Sequence, residues 1–278
     1  MPLTLEQHRL VDRWLPGAVV VEDLSWGLID TTVLRVRADG SEFVVKAGGP
    51  DNHHLGREIR GHREFTAPWL RDRRIGRMVH ADPALRVLVL EYLAGVLAEG
   101  TPAATDPRTH RQAGRLLASL HVQGSRVDEG YEERMDARAL RWLDGEHGIE
   151  RSTEQRLREV IAGHERPPAV LVPTHGDWQP RNWLIDGERV LVIDLGRADW
   201  RPALTDFVRL SSQQWYGRAD LEAAFVDGYG HDPREPASWR RALLREAIGT
   251  ACWARQVGDE PFERHGHRMV EHALSMLE

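Results

Sequence analysis

The stretch from His175 to Asp194 limits what this chain can fold into more than any other part of it. It opens with His175-Gly176-Asp177-Trp178-Gln179-Pro180-Arg181-Asn182, in which an Asp and an Asn stand five residues apart across a tight loop. Apolar runs then flank Asp186-Gly187, and Asp-Gly between such runs signals a hairpin. An antiparallel return brings the end of a hairpin beside its start, so Asp194 is carried back near Asn182. An Asp at the head of such a loop can accept the proton of an attacking hydroxyl. An Asn five residues on can hold Mg²⁺ through its carbonyl oxygen. Asp194 and Asn182 converging on one point suit that hard, oxygen-bound ion. Singly, these residues are ordinary turn formers; in this order they point to phosphoryl transfer.

The cations agree. Of 37 Lys and Arg residues a single one is lysine, Lys46, in Phe43-Val44-Val45-Lys46. Arg is a planar fork, whereas Lys is a compact point charge that can reach between two phosphate oxygens. A site holding nucleotide phosphates beside a glutamate needs the second kind. The following segment, about Asn52 to Leu70, has a helical period with Leu55, Ile59, His62 and Phe65 on an inward face. Glu58 falls within that face and Glu64 lies opposite Leu55, so Glu58 is the expected partner of Lys46.

Three strand-like runs precede this helix: Val19 to Leu24, Thr31 to Val36 and Glu42 to Lys46, the last two joined across Ala38-Asp39-Gly40. Lys46 is expected to end the third strand of an antiparallel sheet. Thr4 and Gln7 have the spacing of a capping box ahead of a stripe of Leu10, Val11, Trp14 and Leu15. Val87 to Leu90 reads as a buried strand. The second half is mostly helical: from Asp106-Pro107 through Leu120, Ala137 to Leu143, Glu154 to Ala162, and near 220–229, 237–257 and 262–277, with a short strand at Val170 to Val172. The fold class expected is α+β, with an antiparallel sheet plus helix over residues 1–92 and a mostly helical remainder over 93–278.

Bulk composition excludes several classes. A net charge of −6 argues against non-specific nucleic-acid binding. Cys252, the only cysteine, cannot form an internal disulfide or a cysteine-based zinc cluster. No apolar run approaches the ~18 residues of a membrane span, and Met1-Pro2-Leu3-Thr4 lacks a secretion signal, so a cytoplasmic enzyme without membrane or nucleic-acid partners is expected. His265, His267 and His272 sit on one helix at spacings that do not align metal ligands, and a solvated face is expected there.

In Lys46 with the helix after it, His175-Gly176-Asp177 through Asn182, Ile193-Asp194-Leu195-Gly196 and the helix Gly114 to His121, the chain resembles the aminoglycoside phosphotransferase and choline kinase-like family, which shares the two-lobed protein-kinase-like fold. The resemblance covers roughly residues 20 to 210. It implies Asp177 as catalytic base, Asn182 and Asp194 as Mg²⁺ ligands, Lys46 on the α- and β-phosphates and His175 as a brace for the loop. Ser25, Gly27 and Thr31 occupy the place of the phosphate-covering loop, and Glu91 to Leu93 that of the hinge reading the purine of ATP or GTP. It further implies transfer to a hydroxyl of a small molecule, foremost an antibiotic (an aminoglycoside or another sugar-bearing, nucleoside or peptide antibiotic) with resistance as the outcome. A metabolic kinase of amino alcohols, amino acids or sugars is the alternative. A non-catalytic pseudokinase would have lost one of Lys46, Asp177, Asn182 or Asp194. Asp194 and Asp206 are only 12 residues apart, too short a crossing to dock a peptide, and Asp206 is expected to tie down the loop. Trp178, Trp183, Trp200, Trp215 and Tyr216 are candidate pocket walls or core residues. Asp199, Asp220, Glu222 and Asp227 can attract a polyamine, yet they are interleaved with Arg197, Arg201, Arg209 and Arg218.

Overall fold

The computed structural model of the chain describes residues 3–26 and 30–277. In chain order the elements are α1 (Leu5–Trp14), β1 (Val19–Asp23), β2 (Thr31–Ala38), β3 (Ser41–Gly48), α2 (His53–Glu64), α3 (Ala67–Arg71), β4 (Met78–Asp82), β5 (Val87–Glu91), β6 (Val96–Leu97) and α4 (Pro107–His121). There follow β7 (Arg126–Asp128), α5 (Tyr131–Leu143), α6 (Arg151–Ala162), β8 (Ala169–Thr174), β9 (Trp183–Asp186), β10 (Arg189–Val192), β11 (Asp199–Arg201), α7 (Val208–Ser212), α8 (Ala219–Tyr229), α9 (Pro236–Val257) and α10 (Glu260–Ser275). Contacts divide these into two compact units. One comprises residues 1–123, 173–199 and 218–230, the other 124–172, 200–217 and 231–278.

The first unit is built on a five-stranded sheet in the order β1-β2-β3-β5-β4. Thr4 caps α1 through the reciprocal box with Gln7. The Gln7 amide is buried and also donates to the carbonyls of Gly48 and Leu85 (3.0 and 2.9 Å), tying α1 to the sheet. Asp39 and Gly40 both have positive φ (48° and 73°), which gives the two-residue hairpin between Ala38 and Ser41. Alternation along β3 decides the rest. Val45 and Ala47 join Leu10, Val11 and Leu15 of α1 in one core cluster. Val44 packs with Leu55 and Ile59 of α2 in another, and Lys46 shares that face by its period of two.

Three expectations need adjustment here. β3 runs on to Gly48, so Lys46 lies two residues inside the strand rather than at its end. The single helix expected over 52–70 is two, because Pro68 has no N–H for the Glu64 carbonyl and ends α2 there. β4 is an additional strand: all five of its residues are half-buried, so no alternation marks it in the sequence.

In the same unit, α4 and α8 cross with almost no side chains between them at two glycines. A Cβ on Gly114 would lie 2.2 Å from the Phe225 carbonyl oxygen, and one on Gly228 would lie 2.0 Å from that of Arg111. Backbone meets backbone at both points, so neither side can yield.

The second unit gathers α5, α6, α9 and α10 around Leu143, Leu157, Ile161, Leu244, Ile248 and Val270, and β7 pairs antiparallel with β8. α5 begins at Tyr131, earlier than the expected Ala137. Its first turns carry buried Glu132 and Asp136, which lie outside the expected helix. Arg241 and Arg245 of α9 neutralise them, with Arg245 donating to both carboxylates at 2.7 Å.

Gly114→Ala is expected to cost roughly 3 kcal/mol or more, the upper range for an overpacked site, because only backbone could move aside. Gly56→Ala, in the middle of α2 with open space around its Cβ, is expected to stabilise by up to ~1 kcal/mol. Urea midpoints of the two variants measure both.

Candidate active site

Lys46 on β3 and Glu58 on α2 meet as an ion pair at 2.6 Å, with side chains 13% and 4% exposed. Glu64, the other glutamate of that helix, lies exposed. The pair is held in place from outside. Gly61 brings α2 against Leu195 and Ala198, where a Cβ would stand 3.1 Å from each, and the His54 ring meets the Gly196 carbonyl at 3.2 Å. α2 is thereby clamped to the segment that follows Asp194.

The loop from His175 is fixed by its own side chains. His175 is fully buried, and its Nδ1 accepts from the Asp177 N–H (3.3 Å). Its Nε2 therefore carries the proton and donates to the Ile193 carbonyl (3.1 Å), joining the head of the loop to the end of the hairpin. The Asn182 amide donates to the Asp177 carbonyl (2.7 Å) and to Asp177 Oδ2 (3.0 Å). That orientation turns its Oδ1 away from Asp177. The Ile193 N–H donates to the Asn182 carbonyl (3.1 Å), which completes the expected return of Asp194 toward Asn182. The hairpin turn is one residue on from the expected one: Asp186 still pairs with Arg189, and Gly187 supplies the positive φ of 58°. Beneath the loop, Trp69, Trp178, Trp183 and His110 follow one another as packed rings, with centroids 5.5 to 5.8 Å apart. Trp178, Trp183 and Trp215 are buried, so these candidate walls belong to the core, while Tyr216 is 83% exposed. Asp206 is buried in the second unit.

Asp194 adopts φ 65°, rare outside glycine, and its Oδ1 accepts the Gly196 N–H (2.9 Å), a local bond that helps Asp tolerate this region. Burial pushes its carboxyl up, but the Lys46 charge and the Gly196 N–H prevail and hold it below the usual range. Burial likewise opposes the charge on Lys46, yet Glu58 and Asp194 together raise its pKa. Glu58 is pushed up by burial, and the Asp194 charge adds to that against the pull of Lys46. One ammonium thus serves two carboxylates, a surplus of negative charge that suits a cation. Asn182 Oδ1 and the Asp194 carboxylate are hard oxygen donors of the kind that could hold Mg²⁺. No group of three or more His, Cys, Asp or Glu able to hold a metal occurs among the described residues, so an ion here would need further oxygens from a bound phosphate or water.

The remaining candidates lie around this centre. The Ser25 Oγ accepts the Val33 N–H (2.9 Å), and Thr31 Oγ1 accepts from the Asn52 amide (2.7 Å). Gly27 lies outside the described residues. At the end of β5 the N–H groups of Glu91 and Tyr92 are committed to the carbonyls of Arg77 and Glu42, and Leu93 follows half-buried. Two further residues take no site role from the sequence. Asn52 caps α2 while its amide holds Asp30 and Thr31, fastening the β1–β2 loop to the helix. His62 stands one turn beyond Glu58, 6% exposed, with neither ring nitrogen partnered.

Residues 20–244 match the family described as the phosphotransferase enzyme family. The chain belongs to that family. Among solved structures, the chain is similar to a thermostable mutant of aminoglycoside phosphotransferase APH(4)-Ia in ternary complex with ADP and hygromycin B. The TM-score is 0.72 at 13% identity, covering 98% of this chain and 99% of that one. It is also similar to choline kinase LicA from Streptococcus pneumoniae (0.67, 14%, 98% and 99%) and to macrolide 2'-phosphotransferase MphH from Brachybacterium faecium (0.62, 17%, 94% and 96%). At these identities what is shared is the protein-kinase-like fold. Curated proteins give no sequence match. No helix among the described residues is long and apolar enough to cross a membrane.

Burial lowers the His62 pKa from 6.5 to about 3, helped by the Lys46 charge. Above pH 6.5 neither folded nor unfolded chain protonates it. As pH falls from there toward 3, only the unfolded chain does, and stability is lost. His62→Leu is expected to remove about 2 kcal/mol of the loss between pH 7.5 and 5. Urea unfolding of both proteins at the two pH values measures it.

Proposed function

We propose that this phosphotransferase moves the γ-phosphate of ATP or GTP to a hydroxyl of a small molecule, foremost an antibiotic. The observation that carries the reading is the convergence in one unit of the Lys46–Glu58 pair, Asp194, and an Asn182 whose amide is turned onto Asp177. In this reading residues 1–92 bind the nucleotide, and 93–278 carry the catalytic loop and the acceptor pocket. Lys46 holds the α- and β-phosphates, and Glu58 fixes its ammonium. Ser25, Gly27 and Thr31 line the loop over the phosphates. Glu91 and Leu93 offer backbone groups to the purine. Asp177 orients the acceptor hydroxyl and takes its proton, while His175 and Gln179 keep the carboxylate aimed. Mg²⁺ held by Asn182 and Asp194 would neutralise charge on the β- and γ-phosphates.

Charge bears on the acceptor class. Carboxylates that could attract a polyamine are already paired: Asp199 with Arg60 (3.3 Å), Asp220 with Arg218 (2.7 Å) and Asp227 with Arg111 (2.6 Å). That supports an acceptor of low charge, such as a macrolide or nucleoside antibiotic, over a polycationic aminoglycoside. It equally supports the second reading, a metabolic kinase of a neutral sugar or amino acid. An acceptor panel with ATP and GTP, read by product mass, separates them. Turnover confined to polycations would reverse this ranking.

Asp177→Asn is expected to lower kcat by roughly 10²-fold or more with little change in nucleotide affinity. Excess chelator is expected to abolish turnover of the wild type. Lys46→Arg keeps the charge but enlarges the head, and should lower kcat/KM for nucleotide by at least ~10-fold. Glu58→Gln should cost less and not add to it, because the two act as one pair. Steady-state kinetics of the four proteins of that cycle provide the measurement; a Lys46→Arg enzyme as active as the wild type would strip the lysine of its role.

A further inference from the structure

Arg181 is the only Lys or Arg between His175 and Asn182. Its Nη2 donates to Asp177 Oδ2 at 2.7 Å, and its guanidinium lies 5.3 Å from the centre of the Trp26 ring. Trp26 is 51% exposed and belongs to the β1–β2 loop, the segment read above as the phosphate cover. A cation thus links the candidate base to that loop.

The donors around Asp177 differ in freedom. Oδ1 takes the Gln179 amide, and Oδ2 takes both Arg181 and Asn182. Gln179 and Asn182 are buried, and Asn182 is further tied to the Asp177 carbonyl. Arg181 is 28% exposed, and the Trp26 face steadies it without directing it. It is the donor that can leave. In transfer, the acceptor oxygen bonds to the γ-phosphorus and its proton passes to Asp177. The bond from phosphorus to the β–γ bridging oxygen breaks, and its electron pair stays on the nucleoside diphosphate. Protonation removes the charge that holds Arg181 to Asp177 while negative charge is spread over the equatorial phosphoryl oxygens. The guanidinium fork fits two such oxygens.

Resting on the phosphotransferase reading, we propose that Arg181, steadied by Trp26, is a further catalytic residue that shifts from Asp177 to the transferring phosphoryl group. The pair is an internal arginine finger whose release is timed by the proton that Asp177 accepts.

Nucleotide hydrolysis, in which water replaces the acceptor, tests this beside transfer to whichever acceptor the panel identifies. Arg181→Gln is expected to lower kcat by ~10²- to 10³-fold with the nucleotide KM within ~3-fold. ADP affinity should be unchanged, but the tightening of ADP by aluminium fluoride and Mg²⁺, which mimics the phosphoryl in flight, should disappear. Arg181→Lys should recover part of kcat, and guanidinium ion should rescue Arg181→Ala. Trp26→Ala should lower kcat by about 3-fold in the wild type and by nothing further in the Arg181→Gln background. If Arg181→Gln turns over within ~3-fold of an active wild type, the proposal is wrong. A loss of kcat with the aluminium fluoride tightening intact would reduce Arg181 to a positioning residue for Asp177 and equally overturns it. A wild type that neither hydrolyses nor transfers with ATP or GTP brings down the phosphotransferase reading itself.

Discussion

The buried Lys46–Glu58 pair is the constraint around which the first unit is arranged. Neither charge is tolerable there alone, since stripping a lone ion of water costs several kcal/mol. Their meeting requires β3 in the register that puts Lys46 on the α2 face, and α2 in the phase that turns Glu58 inward. It also requires the close approach at Gly61 that clamps the helix to the Asp194 segment. Such a pair adds little stability compared with well-packed apolar residues, but breaking it is costly. It specifies an arrangement rather than strengthening it, and that arrangement delivers Asp194 beside the lysine.

Much of this was legible because it is local. Asp39-Gly40 and Asp186-Gly187 announce two hairpins, a five-residue spacing defines the loop, and the helical period singles out Glu58. What escaped depended on distant partners. Glu132 and Asp136 look like surface until Arg241 and Arg245, more than 100 residues away, neutralise them. β4 has no face of its own, because every residue in it is half-buried. The inward imidazole of His62 was visible in the helical period, but not its lack of partners.

The tryptophans show how composition misleads at a site. Their density near the loop suggested walls for a flat substrate. Trp69, Trp178 and Trp183 instead form a floor of packed rings beneath it, and the Trp69 Nε1–H donates to the Leu116 carbonyl of α4 (2.9 Å). Large, stiff rings hold a loop of strained turns better than flexible aliphatics would, because a ring has few torsions to lose. Trp26, the exception in the same unit, is the one left in solvent with a guanidinium on its face.

Because Lys46 is the only lysine in 278 residues, chemistry that recognises lysine has one side-chain address in the whole molecule. A lysine-specific protease can cut only after residue 46, severing β3 between two hydrogen-bonded neighbours, β2 and β5. That bond is sheltered as long as the sheet is intact and Glu58 holds the ammonium. Digestion of the intact protein therefore acts as a clock on the opening of this sheet alone, with no background from the rest of the surface.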